Sequence, residues 1–261
     1  MKCLYIGDIV GRPGREIVGR LVPELVEAYG IDVVMANGEN IAHGIGATPG
    51  LIGKLEAFGV HLFALGNHAW RKPEMVKDID KLDTVARPAN FPPNSPGKGT
   101  VVYSFPDGRS CALINLIGRV FMEPADCPFA AADRELEKLN DFPGAIVVDI
   151  HAEATSEKAA LAWYLDGRCS AVLGTHTHVQ TSDERLLPKG TAFISDVGMC
   201  GPHDSILGVK TELVLQKTVT GIPAKWDVAD GPVQFNAVVV QVDDKTGLAK
   251  SIERIRRIET L

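Results

Sequence analysis

The chain has 261 residues, of which 45% are apolar and 23% charged, and its net charge is −6 at pH 7. This length can bury the core of one large α/β domain, and the composition is ordinary for a water-soluble globular protein. The negative charge argues against bulk electrostatic binding to duplex nucleic acid or to an anionic membrane. No apolar run approaches the roughly 20 residues that cross a bilayer.

The amino terminus and the cysteines favour a cytoplasmic location. Residues 2–6 enter an apolar run at once, without the basic region, apolar stretch and cleavage site of a secretory signal. The five cysteines are odd in number and form no Cys-x-x-Cys pair, so we expect reduced thiols. Arg254, Arg256 and Arg257 are a candidate basic patch, but a solvated edge strand is the favoured interpretation.

The first third of the chain alternates between strand and helix patterns. Apolar runs at residues 3–7, 32–36 and 61–65 predict strands. The spacing of Ile17, Leu21 and Leu25 predicts a helix that ends at Gly30, and residues 48–58 predict a second helix. This β-α-β-α-β order indicates a parallel sheet with helices packed on its faces.

The rest of the chain predicts further strands and helices of an α/β fold. Residues 101–105 and 111–116 flank a Pro-Asp-Gly turn and predict a hairpin, and residues 131–139 and 155–165 predict helices. We expect the remaining strands, the last two antiparallel, at residues 145–150, 169–173, 191–195, 233–242 and 251–258. There is no internal repeat or convincing linker, so we predict one domain over residues 1–261.

Five short polar clusters each follow a predicted strand. They collect Asp, Glu, Asn and His, the side chains that hold hard and borderline metal ions. Ligands in open α/β sheets bind at the carboxyl ends of the strands, so these clusters can converge on one site. The clusters are Gly7-Asp8, Asn37-Gly38-Glu39-Asn40, Gly66-Asn67-His68, His151 and Gly174-Thr175-His176-Thr177-His178.

Each cluster alone also has a structural interpretation. Asp8 can cap a turn, Glu39 and Asn40 can form a polar turn, and a strand-end histidine can be hydrogen-bonded in the core. Histidines two residues apart, such as His176 and His178, can face one cluster only in extended or loop backbone. The five clusters together favour a metal site. Of the other histidines, we expect His61 to be structural and His43 to lie in a surface loop, and His203 is unassigned.

The clusters resemble the motifs of the calcineurin-like metallophosphoesterase superfamily. Its pattern runs Gly-Asp, an acid after the second strand, Gly-Asn-His, a lone His, and Gly-His-x-His. Within it the chain looks closest to a bacterial branch of 2′,3′-cyclic-nucleotide 2′-phosphodiesterases. Two features depart from the wider superfamily: Val10 stands where a histidine is usual, and Glu39 stands where a bridging Asp is usual. The branch shares both changes.

The resemblance implies a layered α/β metallophosphoesterase fold, with central mixed β-sheets flanked by helices, and two metal ions at the carboxyl ends of strands. It implies that His68 is the proton donor. The oxygen-rich ligand set favours iron, with manganese or another divalent ion as the alternative. One ion would be held by Asp8, Glu39, Asn40 and His178, and the other by Glu39, Asn67, His151 and His176.

The activity that the resemblance implies is hydrolysis of 2′,3′-cyclic nucleotides, or related small phosphodiesters, by in-line attack of a hydroxide shared between the two ions. The alternative is a metal-binding RNA or nucleotide regulator with weak phosphatase or phosphodiesterase activity. RNA ends are a further candidate partner, and a membrane is not expected. The antiparallel C-terminal edge can pair between subunits, which leaves a homo-oligomer open.

Overall fold

The computed structural model describes residues 1–260, which form two stacked β-sheets with helices on both outer faces. Among these residues, no helix is both long enough and apolar enough to cross a membrane. The helices are α1 (Gly11–Tyr29), α2 (Pro49–Glu56), α3 (Pro73–Asp78), α4 (Pro128–Lys138), α5 (Thr155–Tyr164) and α6 (Thr211–Thr220).

The first sheet has the strand order β2-β12-β13-β1-β3-β4-β5, and β14 pairs with β13 at its side. The strands β1, β3, β4 and β5 run parallel, whereas β13 is antiparallel to β1. Its strands are β1 (Lys2–Ile6), β2 (Asp8–Ile9), β3 (Val33–Asn37), β4 (Leu62–Ala64), β5 (Val85–Ala86), β12 (Met199–Pro202), β13 (Val233–Val242) and β14 (Ala249–Glu259).

The second sheet has the order β10-β11-β9-β8-β7-β6. Here β7, β8, β9 and β11 run parallel, and the predicted hairpin forms as an antiparallel pair between β6 and β7. Its strands are β6 (Thr100–Ser104), β7 (Ser110–Ile117), β8 (Ala145–His151), β9 (Ala171–Thr175), β10 (Arg185–Leu186) and β11 (Ala192–Ile194).

Alternation along the strands builds three apolar layers, because successive side chains of a strand point to opposite faces of the sheet. Cys3 and Tyr5 of β1 pack between the two sheets with Val147 of β8, whereas Leu4 and Ile6 pack under α1 and α2. On the far side, β8 and β9 pack against α4 and α5. The predicted fold class, mixed sheets flanked by helices, is confirmed.

Several elements differ from the sequence expectation. Helix α1 ends at Gly30 as predicted, where φ is left-handed at 63°, but it begins at Gly11 and is continuous through Pro23, a residue that can interrupt a helix. Strand β9 begins at Ala171, two residues later than predicted. The short strand β12 and helix α6 were not predicted, and α6 has no buried residue among those described, so it lacks the apolar face that periodicity detects.

Candidate metal centre

The structure brings together the side chains of all eight predicted site residues at the carboxyl ends of five parallel-running chain segments. Five of them follow β1, β3 and β4 of the first sheet, and three follow β8 and β9 of the second. We call these residues the eight-residue cluster: Asp8, Glu39, Asn40, Asn67, His68, His151, His176 and His178.

Two carboxylates lie at the bottom of the cluster, and each is at most 1% exposed. Burial raises the pKa of Asp8, although His178 and His151 act in the opposite direction. Burial also acts to raise the pKa of Glu39, but the neighbouring His151 and His68 outweigh it and hold that pKa well below its usual range. Oδ2 of Asp8 accepts a hydrogen bond from the backbone N–H of His176 at 3.1 Å, whereas its buried Oδ1 has no hydrogen-bond partner among the described residues.

A buried chain of hydrogen bonds orients the ring of His151 through its Nδ1 atom. Its Nδ1 lies 2.9 Å from Oγ1 of Thr175, and that hydroxyl donates to Oδ1 of Asp149 at 2.7 Å. Because the hydroxyl proton is committed to Asp149, Thr175 accepts from Nδ1–H of His151. The hydroxyl of Tyr5 donates to the other oxygen of Asp149. This network keeps a proton on Nδ1 of His151 and leaves Nε2 as the nitrogen from which a metal ion can displace the proton.

His176 and His178 are also held by one ring nitrogen each. Nε2 of His176 lies 3.3 Å from the Glu153 carboxylate, and Nδ1 of His178 donates to the carbonyl oxygen of Leu207 at 3.1 Å. The remaining ring nitrogens therefore point into the cluster as acceptors. Burial, with repulsion from His151 as a second cause, lowers the pKa of His176 to about 3, so this ring is neutral at pH 7.

Oxygen and nitrogen atoms that can bind a metal therefore face one another across the cluster. Nε2 of His151 lies 3.1 Å from Oε1 of Glu39 and 3.0 Å from Oδ1 of Asn67. Nδ1 of His176 lies 3.1 Å from the same Nε2. Glu39, His151 and His176 each offer one ligand atom, and these three atoms all lie within 4.8 Å of one another. Oxygen and nitrogen atoms that converge in this way beside buried carboxylates are ligands of the kind that divalent metal ions bind, so this donor set fits a divalent metal ion.

Burial and charge around His151 support the same conclusion. Burial acts to lower its pKa, but the carboxylates of Glu39 and Asp8 outweigh burial and raise the pKa to about 9. The metal-free protein therefore keeps a proton on His151 at neutral pH, which supplies the positive charge that the buried carboxylates require. A metal ion can replace that proton.

Asn40 and His68 contact each other at one side of the cluster. Oδ1 of Asn40 lies 2.8 Å from Nδ1 of His68, and Nδ2 of Asn40 lies 3.3 Å from both Oε1 of Glu39 and Nε2 of His178. In this rotamer Asn40 turns its amide nitrogen, and not its oxygen, toward Glu39 and His178. Rotation about Cβ–Cγ exchanges the two atoms.

Backbone geometry around the cluster is restrictive. A side chain at position 66 is excluded, because a Cβ there would lie 2.4–2.5 Å from the ring of His151 and the carboxylate of Glu39. Six non-glycine residues have positive φ among those described, and four of them line the cavity beside the cluster. Such conformations persist where surrounding structure determines them, and they concentrate at functional sites. The four are His43, His176, His178 and Leu207.

A buried ion pair holds the loop that carries His176 and His178. Nζ of Lys158 lies 2.8 Å from Oδ2 of Asp196, and both side chains are at most 2% exposed. The same carboxylate oxygen accepts hydrogen bonds from the backbone N–H and the hydroxyl of Thr177. The residue between the two histidines is thus anchored directly to the core.

Sequence reasoning did not assign roles to Asp149, Thr175, Glu153 and Asp196. Asp149 had one signal, since it is a charged residue within the apolar strand Ala145–His151. The structural role expected for His61 agrees with its contacts, because its Nδ1 accepts from the backbone N–H of Val34 at 3.0 Å. His43 lies in a loop as expected, but that loop lines the cavity beside the cluster.

Comparison with known proteins places the chain among phosphoesterases. The family model described as YmdB-like protein matches residues 4–255. A Bacillus subtilis (strain 168) protein named 2′,3′-cyclic-nucleotide 2′-phosphodiesterase is 48% identical over 98% of this chain and 96% of its own length. These matches confirm the resemblance predicted from the polar clusters.

Two solved structures have the same fold. A hypothetical protein from Thermus thermophilus superposes with a TM-score of 0.92 at 43% identity, covering 99% of this chain and 100% of that one. A phosphatase from Mycoplasma pneumoniae superposes with a TM-score of 0.93 at 32% identity, covering 100% of this chain and 94% of that one.

Proposed function

Because the chain belongs to the YmdB-like protein family, we propose that it is a metal-dependent phosphodiesterase that hydrolyses 2′,3′-cyclic nucleotides to nucleoside 3′-phosphates. The 48% identical Bacillus subtilis relative is named for this reaction. The products follow from breaking the bond between phosphorus and O2′, with one water consumed.

The observation that carries the proposal is the common arrangement of three histidines. Each engages an outer acceptor with one ring nitrogen: His151 with Thr175, His176 with Glu153, and His178 with Leu207. The other nitrogen of His151 faces Glu39 and that of His178 faces Asp8, while the other nitrogen of His176 faces Nε2 of His151 beside Glu39. Metal-ligating histidines are typically oriented in this way by hydrogen bonds from the ring nitrogen that does not bind the metal.

The donor set supports two ions that share Glu39. Oxygen donors outnumber imidazoles in the group around Asp8, which favours iron, and manganese is the first alternative. When bound, such ions lower the pKa of a coordinated water and neutralise charge on the phosphoryl oxygens. The residues that would hold one ion are Asp8, Glu39, Asn40 and His178, and those for the other are Glu39, Asn67, His151 and His176.

His68 is placed to protonate the leaving oxygen. Its Nδ1 is engaged by Oδ1 of Asn40 at 2.8 Å and lies 3.3 Å from Oε1 of Glu39. These contacts orient the ring and leave Nε2 to donate a proton. As the P–O2′ bond breaks, the electron pair stays on O2′ and the proton of Nε2 is transferred to it.

A substrate panel with identified product isomers tests the proposal. Purified protein loaded with Fe²⁺ or Mn²⁺ is assayed with 2′,3′-cyclic nucleotides, 3′,5′-cyclic nucleotides, bis-p-nitrophenyl phosphate and nucleoside monophosphates. RNA that ends in a 2′,3′-cyclic phosphate carries the same reactive group and belongs in the panel. We expect nucleoside 3′-phosphates from the 2′,3′-cyclic substrates. Binding without turnover, or release of 2′-phosphates, would contradict the proposal, and binding alone would favour the regulator alternative.

A further inference from the structure

A cavity of about 280 Å³ is lined both by five members of the eight-residue cluster and by apolar side chains. Glu39, His68 and His178 contribute to its polar part. The apolar part comes from the loop that contains Ile45 and, far along the chain, from α6 and the loops on either side of it. We call it the apolar wall, and it is formed by Ile45, Leu207, Val209, Val214, Trp226 and Val228.

The backbone around the apolar wall is fixed by hydrogen bonds. Val209 forms a β-bridge with Val228, the backbone N–H of Lys210 donates to the carbonyl of Asp227 at 3.0 Å, and that of Ala229 donates to Gly208 at 3.0 Å. The wall is therefore present before any ligand binds.

Three large side chains of the wall remain exposed to solvent. Trp226 is 55% exposed, Leu207 is 47% exposed and Ile45 is 38% exposed. Lys217 places its ammonium 5.0 Å from the centroid of the Trp226 ring, so a cation already covers part of that ring. Exposed apolar surface that borders a polar site typically marks a place where a ligand binds.

We propose that the apolar wall binds the nucleobase of the substrate, with Trp226 as the surface on which the base stacks, while the phosphate lies at the eight-residue cluster. This inference rests on the proposed function, because it assigns the base of the same nucleotide. The other side of His176 offers no comparable surface: it carries the half-exposed carboxylate of Glu153. A base is planar and apolar on its faces, which matches the wall and not that carboxylate.

The wall favours stacking without recognition of a particular base. Asp227 is the carboxylate on this side of the cavity, and its oxygens are engaged by Lys210 at 3.0 Å and by the backbone N–H of Val228 at 3.0 Å. Stacking on an aromatic ring tolerates every base, since each has a π-face. We therefore expect the KM values for the four 2′,3′-cyclic nucleotides to lie within about tenfold of one another.

The test compares two substrates that differ only in the base. Adenosine 2′,3′-cyclic phosphate is assayed beside methyl ribofuranoside 2′,3′-cyclic phosphate, in which a methoxy group replaces the base. In the metal-loaded wild-type protein we expect KM to be about tenfold lower for the nucleotide. Trp226→Ala should raise the nucleotide KM by about tenfold without changing kcat, and should leave the base-free substrate unaffected.

Two further variants control for general effects of losing an indole. Trp226→Phe keeps an aromatic face and should retain most of the wild-type preference for the nucleotide. Trp163 is also about half exposed, at 51%, but it is not part of the cavity. Trp163→Ala should therefore leave both KM values unchanged.

A binding experiment gives a readout that does not depend on turnover. Metal-loaded Trp163→Ala protein is titrated with adenosine 3′-phosphate and with ribose 3-phosphate while tryptophan fluorescence is recorded. We expect adenosine 3′-phosphate, but not ribose 3-phosphate, to quench the fluorescence. This quenching should be lost in the double variant that combines Trp163→Ala with Trp226→Phe. Equal responses to both compounds would contradict base stacking at Trp226.

The outcomes separate this inference from the proposed function. If the wild-type protein hydrolyses neither cyclic phosphate, the proposed function fails. If it hydrolyses both with equal KM, or if Trp226→Ala raises both KM values equally, the function stands and the base site is overturned. A lower sedimentation mass for Trp226→Ala with unchanged KM values would assign the wall to a second copy of the chain and would also overturn it.

Discussion

Oγ1 of Thr175 lies 2.9 Å from Nδ1 of His151 and determines which ring nitrogen of that histidine carries its proton. The hydroxyl can accept from His151 because its own proton is donated to Asp149. Both partners are fully buried, so no water competes for these bonds. The consequence is that Nε2, which is directed at Glu39, is the nitrogen available to a metal ion once its proton is displaced. This relationship can be tested by replacing one atom.

Thr175→Val keeps the shape of the side chain but removes the acceptor for Nδ1–H of His151. We expect metal affinity to fall by about 10–100-fold, the usual effect of losing a partner that orients a metal ligand. Competition with a chelator for Mn²⁺ measures the change. Thr175→Ser retains the hydroxyl and should bind nearly as well as wild type. Unchanged affinity in a folded Thr175→Val protein would show that Thr175 does not orient the ligand.

Glu39→Gln removes the carboxylate that faces both His68 and His151. Because a neutral amide cannot balance two cations, we expect both the metal content and the hydrolysis rate to fall. Elemental analysis and a bis-p-nitrophenyl phosphate assay measure the two effects. Glu135→Gln is a matched control, since Glu135 is also buried, at 6% exposed, but contacts Thr100 and Lys138. Full metal and full activity in Glu39→Gln would refute a shared carboxylate.

His68→Ala removes the proposed proton donor but none of the proposed metal ligands. We expect full metal content and a rate about 10²–10⁴-fold lower, which is the range of general acid catalysis. His203→Ala is the control, because His203 faces Gln234 and is not part of the cavity. Loss of metal in parallel with loss of rate would instead assign His68 to metal binding.

Metal binding should release a proton from His151. Since the carboxylates around it raise the pKa of His151 to about 9 despite its burial, the metal-free folded protein carries that proton at pH 7.5. A ligand nitrogen must be unprotonated, so binding displaces the proton. Isothermal titration with Mn²⁺ in buffers of different ionisation enthalpy should report release of about one proton from this site. Identical apparent enthalpies in all buffers would contradict the prediction.

The same pKa predicts how the stability of the metal-free protein depends on pH. A histidine whose pKa is raised from 6.5 to about 9 in the folded state stabilises the fold fully below pH 6.5, and this contribution is lost as pH rises through about 9. Thermal melts in EDTA should therefore show a falling Tm between pH 6.5 and 9. In Glu39→Gln, which lacks the main cause of the raised pKa, the decrease should be smaller.

The strand and helix order could be predicted from the sequence because buried parallel strands are short apolar runs with polar clusters at their ends. Residues 145–150 and 61–65 are clear examples, and each precedes members of the eight-residue cluster. The insertion of β13 next to β1 could not be predicted, because it pairs residues such as Lys2 and Gln241 that are distant along the chain. Periodicity contains no information on such pairing.

The site residues could be chosen from the sequence, but their supporting contacts could not. His151 was recognisable at a strand end, whereas the dependence of its tautomer on Thr175 requires the alignment of β8 with β9, in which His151 lies beside Thr175. The left-handed backbone of His176 and His178, with φ of 98° and 65°, is likewise invisible to spacing arguments, since it is imposed by neighbouring structure.

The division of the eight-residue cluster between the two sheets has a consequence for the lifetime of the protein. Asp8 and Glu39 lie at strand ends of the first sheet, and His151 and His176 lie at strand ends of the second sheet. An ion bound by both groups therefore links the two sheets. Ligands that bind only the native state shift the folding equilibrium in its favour. Scarcity of metal would then do more than stop turnover: it would leave a looser chain open to proteolysis, and abundance of the protein would follow metal supply.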